Sequence, residues 1–417
     1  MTEKEKSNNL VCENCKLQID RIRFLEGLST EDLFILDTPR RTIKVSYPVR
    51  MDNGKVKTVT GFRIQYNDAL GPTKGGIRFH QTVDEEDVNE LAFLMALKTS
   101  LLDLPYGGAK GGVMINPKEL SFGELERVAR GFVREIYKMI GPENDIPAPD
   151  VNTNSQVMAW MMDEYERISG KKSPGSFTGK PLELGGSYGR SESTARGAFY
   201  IIEEKYKEED KQNIKVAIQG FGNAGSNLAK MLVECGFKIV AVSDSSSGLY
   251  DENGLNIHEV FEFKHNGNQL KDYKNAKKIS NNEVLELDVD VLVPGALGGV
   301  INQNNYNEIK ANVIVELANA PIDAEVDFEL ENREIEIIPD ILANGGGVVV
   351  SYFEWVQNIS GLKWEEFEVE KKLKDKMIKT YREVVDESNN IKKPYRTSAY
   401  KLAVDRILKA EKLRGNL

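Results

Sequence analysis

The spacing of apolar and polar positions changes character along the chain, and each change predicts a different element. Residues 41–49 and 56–66 read as strands, and Asp52-Asn53-Gly54 between them suits a hairpin turn. Residues 82–102 then read as a helix in which Leu91, Met95 and Lys98 follow at spacings of four and three and share one stripe. Ser121 with Glu124 forms a capping box, and Leu125, Val128, Phe132, Ile136 and Met139 keep helical period behind it. Another helix is expected over 151–167. From 186 onward short apolar runs alternate with helical stretches. Strands are expected at 214–218, 237–242, 289–293, 313–315 and 335–338, with a helix over 226–235. Beyond 344 the pattern is helical again, over 348–359 and then along Val369, Leu373, Met377, Tyr381 and Val384, with a basic-acidic tail from Thr397. The fold class expected is α/β in two domains. The boundaries are 1–185, 186–344 and a helical return over 345–417 that packs on the first domain.

Composition narrows the class. With 417 residues, 40% hydrophobic and 29% charged, the chain suits two globular domains. A net charge of −10 argues against nucleic acid or an acidic membrane as partner. No apolar run approaches the ~20 residues of a membrane span, and the start MTEKEKSNNL lacks a signal-peptide core. Cys12 and Cys15 form a lone CxxC, and three cysteines and three histidines supply no set to complete a metal site. Free thiols in a reducing, cytoplasmic compartment are expected.

Two clusters carry the candidate chemistry. Lys74 stands in Gly71-Pro72-Thr73-Lys74-Gly75-Gly76, and Lys110 in Gly107-Gly108-Ala109-Lys110-Gly111-Gly112. Glycines around a lysine suit a backbone that approaches a ligand while one amine reaches the reacting atom. Together with Lys98 they suggest a pocket for a small dianion; the bland alternative is a pair of flexible, solvated loops. Lys98 on an apolar stripe must either snorkel to water or meet an anion. Further on, the strand at 214–218 runs into Gly220-Phe221-Gly222-Asn223-Ala224-Gly225 and then a helix, and Asp244 ends the next strand. In that context GxGxxG reads as a dinucleotide site. Gly220 gives the tight turn, Gly222 lets amides reach the pyrophosphate, Gly225 packs helix on strand, and Asp244 accepts from a ribose. The alternative is an ordinary glycine turn. Asn344-Gly345-Gly346-Gly347 reads as a hinge whose closure would exclude water, or as a simple linker.

From about residue 20 to its end the chain resembles the glutamate dehydrogenase family, within the wider glutamate, leucine, phenylalanine and valine dehydrogenases. The resemblance rests on GPTKGGIRFH (71–80), LMALKTSLLDLPYGGAKGGV (94–113), DIPAPDVNT (145–153), GGSYGRSEST (185–194), IQGFGNAGSN (218–227) and ANGGGVVVSYFEW (343–355). It implies a substrate-binding and oligomerisation domain, a Rossmann-type coenzyme domain and a hexamer. It also implies oxidative deamination of L-glutamate to 2-oxoglutarate and ammonium, with hydride passed to NAD or NADP. Under it, Lys74 and Ser351 hold the side-chain carboxylate, Lys98 the α-carboxylate, Lys110 is the catalytic lysine and Asp150 the acid/base. Arg190, Thr194, Asn319 and Asn344 lie with the coenzyme.

The chemistry asks for such groups. Hydride leaves Cα, water attacks the iminium carbon, and ammonia departs. Lys110 would be driven neutral by Lys74 and Lys98 and so activate that water. Asp150 would shuttle protons to the substrate nitrogen, or else cap the helix expected at 151. A lysine at 74 would be left without a counter-ion by leucine or phenylalanine, which favours glutamate. Asp244 favours NAD, although Ser245, Ser246 and Ser247 could accommodate a phosphate. The chain departs from the family pattern at Ala195, Gly298, Gly299, Leu317 and Ala320, all near the expected coenzyme. A catalytically weakened paralogue acting as a regulatory or structural subunit is the alternative to an active enzyme.

Overall fold

The computed structural model describes Arg21 and residues 28–417, so Cys12 and Cys15 lie outside the described residues. The chain forms two compact units. One takes the described residues up to Arg190 with Val348–Val369 and Tyr400–Leu417; the other takes Ser191–Gly347 and Glu370–Ala399. Among the described residues, no helix is long and apolar enough to cross a membrane.

The first unit is built on a five-stranded sheet of order β1-β2-β4-β3-β5. Strands β1 (Arg41–Arg50) and β2 (Val56–Asn67) form the expected hairpin, in register from Arg41↔Gln65 to Arg50↔Val56. Strand β4 (Gly107–Val113) pairs antiparallel with β2 and parallel with β3 (Thr73–Phe79), which pairs parallel with β5 (Asp145–Pro149). Lys74 and Lys110 therefore stand in buried strands, not loops, with Gly71 and Pro72 just ahead of β3. Glycine is costly in a strand, but here the Glu85–Leu101 helix lies directly on the backbone. A Cβ on Gly108 would stand 2.2 Å from the Ala96 nitrogen, and one on Gly112 would stand 3.2 Å from Val88 Cγ2 of that helix and 2.4 Å from Val83 Cγ1 just ahead of it.

The opposite face of the sheet carries the core. Ile77, Phe79 and Val113 meet Val128, Phe132 and Ile136 of the Phe122–Ile136 helix and Val157, Met158 and Met161 of the Ser155–Ser169 helix. The Ser121–Glu124 capping box is present. Met139 falls outside that helix, and its carbonyl accepts from Gln65 Nε2 at 3.0 Å. The helix expected from 151 starts at Ser155 instead, capped by Asn154, whose side chain accepts the Val157 N–H. Asp150 is consequently not a helix cap. Through the sheet runs an ion pair with no sequence signature: fully buried Arg63 donates to Asp145 through Nε (2.8 Å) and Nη2 (2.5 Å) and to the Gly75 carbonyl at 3.0 Å. It ties β2, β3 and β5 together. Removing either partner would strand a buried charge at a cost of about 3–5 kcal/mol.

The second unit has a seven-stranded sheet of order β12-β11-β10-β6-β7-β8-β9. Strands β6 (Lys215–Gln219), β7 (Lys238–Ser243), β10 (Val291–Pro294), β11 (Val313–Val315) and β12 (Glu336–Ile338) are parallel. The short β8 (Gly248–Tyr250) and β9 (Lys277–Ile279) extend the sheet antiparallel. Apolar residues such as Ala217, Leu292, Ile314 and Ile337 pack beneath Val326 and Leu330. The chain leaves β6 toward β7 on one side and returns to β10 on the other. The loops after β6 and β10 therefore flank a topological switch point, where open α/β sheets bind ligands.

The C-terminal segment departs from a single return onto the first domain. Val348–Val369 and Tyr400–Leu417 belong to the first unit, while Glu370–Ala399 belongs to the second. Long-range ion pairs account for the division: Glu370 with Arg196 (2.9 Å), Lys374 with Glu203 (2.9 Å) and Arg396 with Glu316 (2.7 Å). The apolar stripe Val369, Leu373, Met377, Tyr381 and Val384 is buried as its period requires. The glycine run expected as a hinge or linker is drawn into the Gly346–Ser360 helix, where a Cβ on Gly346 would stand 2.0 Å from the Ser193 carbonyl oxygen.

Candidate active site

Strand register brings the lysines of the first unit together. Lys74 lies opposite Gly108 in the parallel β3–β4 pair, and Lys110 lies two residues beyond Gly108. Side chains on a strand alternate, so both amines leave the same face of the sheet, the one covered by the Glu85–Leu101 helix. Lys98 is buried in that helix. Lys74 is 1% exposed; its Nζ donates to the Ile146 carbonyl at 3.2 Å, and no carboxylate of the described residues is ion-paired with it. Burial above all, then the charges of Arg190 and Arg63, drives its amine well below the ordinary lysine value. Arg190 donates from Nε to the buried Ser351 hydroxyl at 3.1 Å. It thus lies with Lys74 and Ser351 in the first unit, whereas Thr194 opens the Ser193–Lys205 helix of the second.

Lys110 meets Asp150, with Nζ 3.1 Å from Oδ1, and Arg78 Nε lies 2.9 Å from Asp150 Oδ2. Burial lowers the Lys110 amine against the opposing pull of Asp150, and Arg78 and Arg63 add to the lowering. The lowering that the sequence assigned to Lys74 and Lys98 therefore comes chiefly from desolvation, with two arginines as the contributing charges. Burial tends to raise the Asp150 carboxyl, but Lys110 and Arg78 outweigh it and hold it below its usual range.

Two participants escaped the sequence reading. Arg78 shares β3 with Lys74, four residues on in GGIRF, and only the fold shows that it faces Asp150. Glu354, fully buried, accepts from Lys180 Nζ at 2.5 Å and from the Gly179 N–H at 2.8 Å, and its charge partly offsets the lowering of Lys74. Its signal was its place one helical turn after Ser351. A cavity of about 770 Å³ lined by Arg40, Arg41, Asp68, Lys138 and Arg414, among others, includes none of the expected site residues.

In the second unit the glycine turn has the form a dinucleotide needs. Gly220 takes φ +101 with the Ala296 backbone against it, and a Cβ on Gly225 would stand 1.9 Å from the Gly220 carbonyl oxygen. The Asn223–Glu234 helix starts three residues ahead of the expected 226. Its N-cap, Gly222, supplies no side-chain acceptor, so the N–H groups of the first turn face outward uncapped. Nothing lies within 4 Å of a Cβ on Gly222. Asn223 Nδ2 donates to the Ser191 carbonyl at 2.8 Å, Ala224 follows it in the first turn, and Asn344 Nδ2 donates to Asn319 Oδ1 at 3.0 Å.

Asp244, expected to accept from a ribose, is already bonded within its own loop. Its Oδ1 accepts from the Ser246 N–H (2.7 Å) and hydroxyl (2.6 Å) and from the Ser247 N–H (3.2 Å), while Oδ2 takes Lys264 and the Leu270 N–H. Partial burial raises the carboxyl, but the bonds from Lys264 and Ser246 prevail and hold it at about 2. Its oxygens shape the loop behind β7.

Known proteins match this arrangement along its whole length. The profile of the Glutamate/Leucine/Phenylalanine/Valine dehydrogenase family matches residues 185–415, and that of the Glu/Leu/Phe/Val dehydrogenase dimerisation domain matches residues 39–167. The chain belongs to this family. It is 47% identical over 395 residues to the "cryptic catabolic NAD-specific glutamate dehydrogenase GudB" of Bacillus subtilis (strain 168), covering 93% of this chain and 92% of that protein. It is 46% identical over 420 residues to the NAD-specific glutamate dehydrogenase of Staphylococcus aureus (strain COL), covering 100% of both. Among solved structures, the hetero-hexameric glutamate dehydrogenase of Thermus thermophilus, in its Leu-bound form, superposes with a TM-score of 0.89 at 34% identity, covering 95% of each chain. The glutamate dehydrogenase of Peptoniphilus asaccharolyticus gives 0.85 at 38%, covering 97% of this chain and 100% of that one.

Proposed function

We infer that this protein is an NAD-dependent glutamate dehydrogenase, catalysing oxidative deamination of L-glutamate to 2-oxoglutarate and ammonium. The observation that carries the choice of substrate is Lys74, a buried amine that feels the charge of Arg190, itself bonded to the Ser351 hydroxyl, and that is ion-paired with no carboxylate of the described residues. A distal carboxylate supplies the missing counter-ion, and the side chains of leucine, phenylalanine or valine do not. NAD-specificity is in the names of the B. subtilis and S. aureus relatives. The uncapped helix start behind Gly220–Gly225 fits a pyrophosphate.

Each residue then has a task. Lys74, Arg190 and Ser351 bind the side-chain carboxylate, and Lys98 binds the α-carboxylate. Bound NAD supplies the acceptor for the Cα hydride. Lys110, its amine lowered by burial, takes a proton from the water that attacks the substrate iminium carbon. Asp150, held between Lys110 and Arg78, passes protons to and from the substrate nitrogen so that ammonia can leave. Asn223, Asn319, Asn344 and Thr194 lie with the coenzyme, while Asp244 supports it through the loop that its carboxylate organises. We propose a hexamer, by analogy with the hetero-hexameric glutamate dehydrogenase of T. thermophilus, and a cytoplasmic location.

The test is a spectrophotometric assay of the purified chain with glutamate and NAD or NADP. NADH formation with glutamate, and far less with leucine, is expected; equal rates with leucine would remove the role given to Lys74. Arg78 makes a second test. Its charge helps lower both Lys110 and Asp150, so Arg78→Gln lets both titrate at higher pH. The acidic limb of the kcat–pH profile is then expected to move to higher pH, and an unmoved limb would show that Arg78 does not tune the pair.

A further inference from the structure

The second unit contains a buried ionic cluster for which neither the hydride step nor substrate binding has an evident use. Arg396 is 4% exposed and places Nη2 2.7 Å from Glu316 Oε1, Nε 2.6 Å from Asp327 Oδ2 and Nη1 3.9 Å from Asp340 Oδ1. All three carboxyl groups are buried. Three acids sharing one guanidinium is an expensive arrangement where stability alone is at stake, since apolar packing of similar volume does as well or better. Burial, reinforced by Asp340 and opposed by Arg396, pushes Glu316 up to about 7, which eases the imbalance near neutrality.

The cluster holds a strained loop. Asp340 Oδ2 accepts the Ala320 N–H at 2.9 Å, and the Asp340 N–H in turn reaches Glu316 Oε2 at 2.8 Å. Ala320 has φ +43, a left-handed conformation that glycine adopts freely and alanine resists. From there contacts run without a break to the dinucleotide turn. The Gly299 N–H donates to the Ala320 carbonyl at 3.0 Å, and the Leu317 and Ala318 N–H groups both reach the Pro294 carbonyl. A Cβ on Gly220 would stand 2.7 Å from the Ala296 nitrogen, in the same 294–299 loop.

We propose that Arg396, Asp340 and Glu316 are positioning residues for the coenzyme, clamping the 316–320 loop so that Ala320 stays left-handed and Asn319 stays bound to Asn344 beside the Gly220 turn. This rests on the reading of that turn as the NAD site. The clamp explains how an alanine is tolerated at 320: the ionic cluster supplies the restraint that its backbone conformation needs.

The test uses the full chain. Asp340→Asn is expected to raise KM for NAD and the NADH dissociation constant by about tenfold, the scale of losing a hydrogen bond to a charged group, while KM for glutamate changes by less than about twofold. Ala320→Gly added to Asp340→Asn is expected to recover most of the loss, because glycine needs no clamp. Unchanged NAD affinity in Asp340→Asn, an equal rise in both KM values, or no recovery on adding Ala320→Gly would overturn the proposal. If Asp340→Asn does not fold, Arg396→Lys carries the same comparison with the same outcomes. A wild-type chain that fails to bind NADH would instead sink the reading of the turn itself.

Discussion

Lys110→Met is expected to lower kcat by about 10³-fold, within the range attributed to a positioned general base, with little change in stability. Methionine keeps the length and apolar bulk of the side chain in its buried slot on β4 and removes only the amine. Three consequences should appear together. The water that attacks the iminium carbon loses its base. Asp150 loses one of its two cations and is held by Arg78 alone, so its carboxyl rises toward the ordinary range. The Lys74–Arg190–Ser351 group is untouched, so glutamate still binds. Steady-state kinetics beside a glutamate titration and a denaturant midpoint would check this. A kcat within about tenfold of wild type would remove Lys110 from the chemistry.

Lys74→Leu is expected to cost about 10⁴-fold in kcat/KM for glutamate, the scale on which a site built for a polar partner discriminates. The substrate's distal carboxylate would meet an apolar side chain with Arg190 and Ser351 left to hold it. Stability should hold or rise, because a buried amine ion-paired with no carboxylate of the described residues is replaced by an apolar side chain. Relative activity toward leucine should rise. Near-normal glutamate kinetics in a folded Lys74→Leu variant would refute the substrate assignment. A parallel fall in thermal stability and activity would mean instead that Lys74 holds the fold.

Much of the architecture was legible because burial leaves a periodic trace. The 41–49 and 56–66 hairpin, the Ser121 capping box and the stripe Val369, Leu373, Met377, Tyr381 and Val384 all repeat at the period of their element. The glycine-lysine clusters offered candidate chemistry but gave no sign of the strands they form. Glycine in sequence signals freedom, whereas Gly108 and Gly112 admit a helix onto the backbone of a central strand. The helix placed at 151 started four residues too early, since residues 150–153 turn first, with the Thr153 N–H returning to the Asp150 carbonyl, before Asn154 caps the helix.

The chain by itself determined which residues carry charge into apolar surroundings and where the glycine turn of the second unit lies, and it offered Lys74 and Lys110 as candidate chemistry, with Asp150 added by the family resemblance. It did so because local period and motif spacing are properties of neighbouring residues. Only the tertiary structure decided who faces whom: Arg78 on Asp150, Glu354 on Lys180, Arg63 on Asp145, and Arg396 among Glu316, Asp327 and Asp340. Those partners are brought together by strand register and helix packing across long separations in sequence. Ion pairs have no period, so no pattern along the chain announces them, although Arg78 helps burial to lower Lys110 and helps Lys110 to hold Asp150 down.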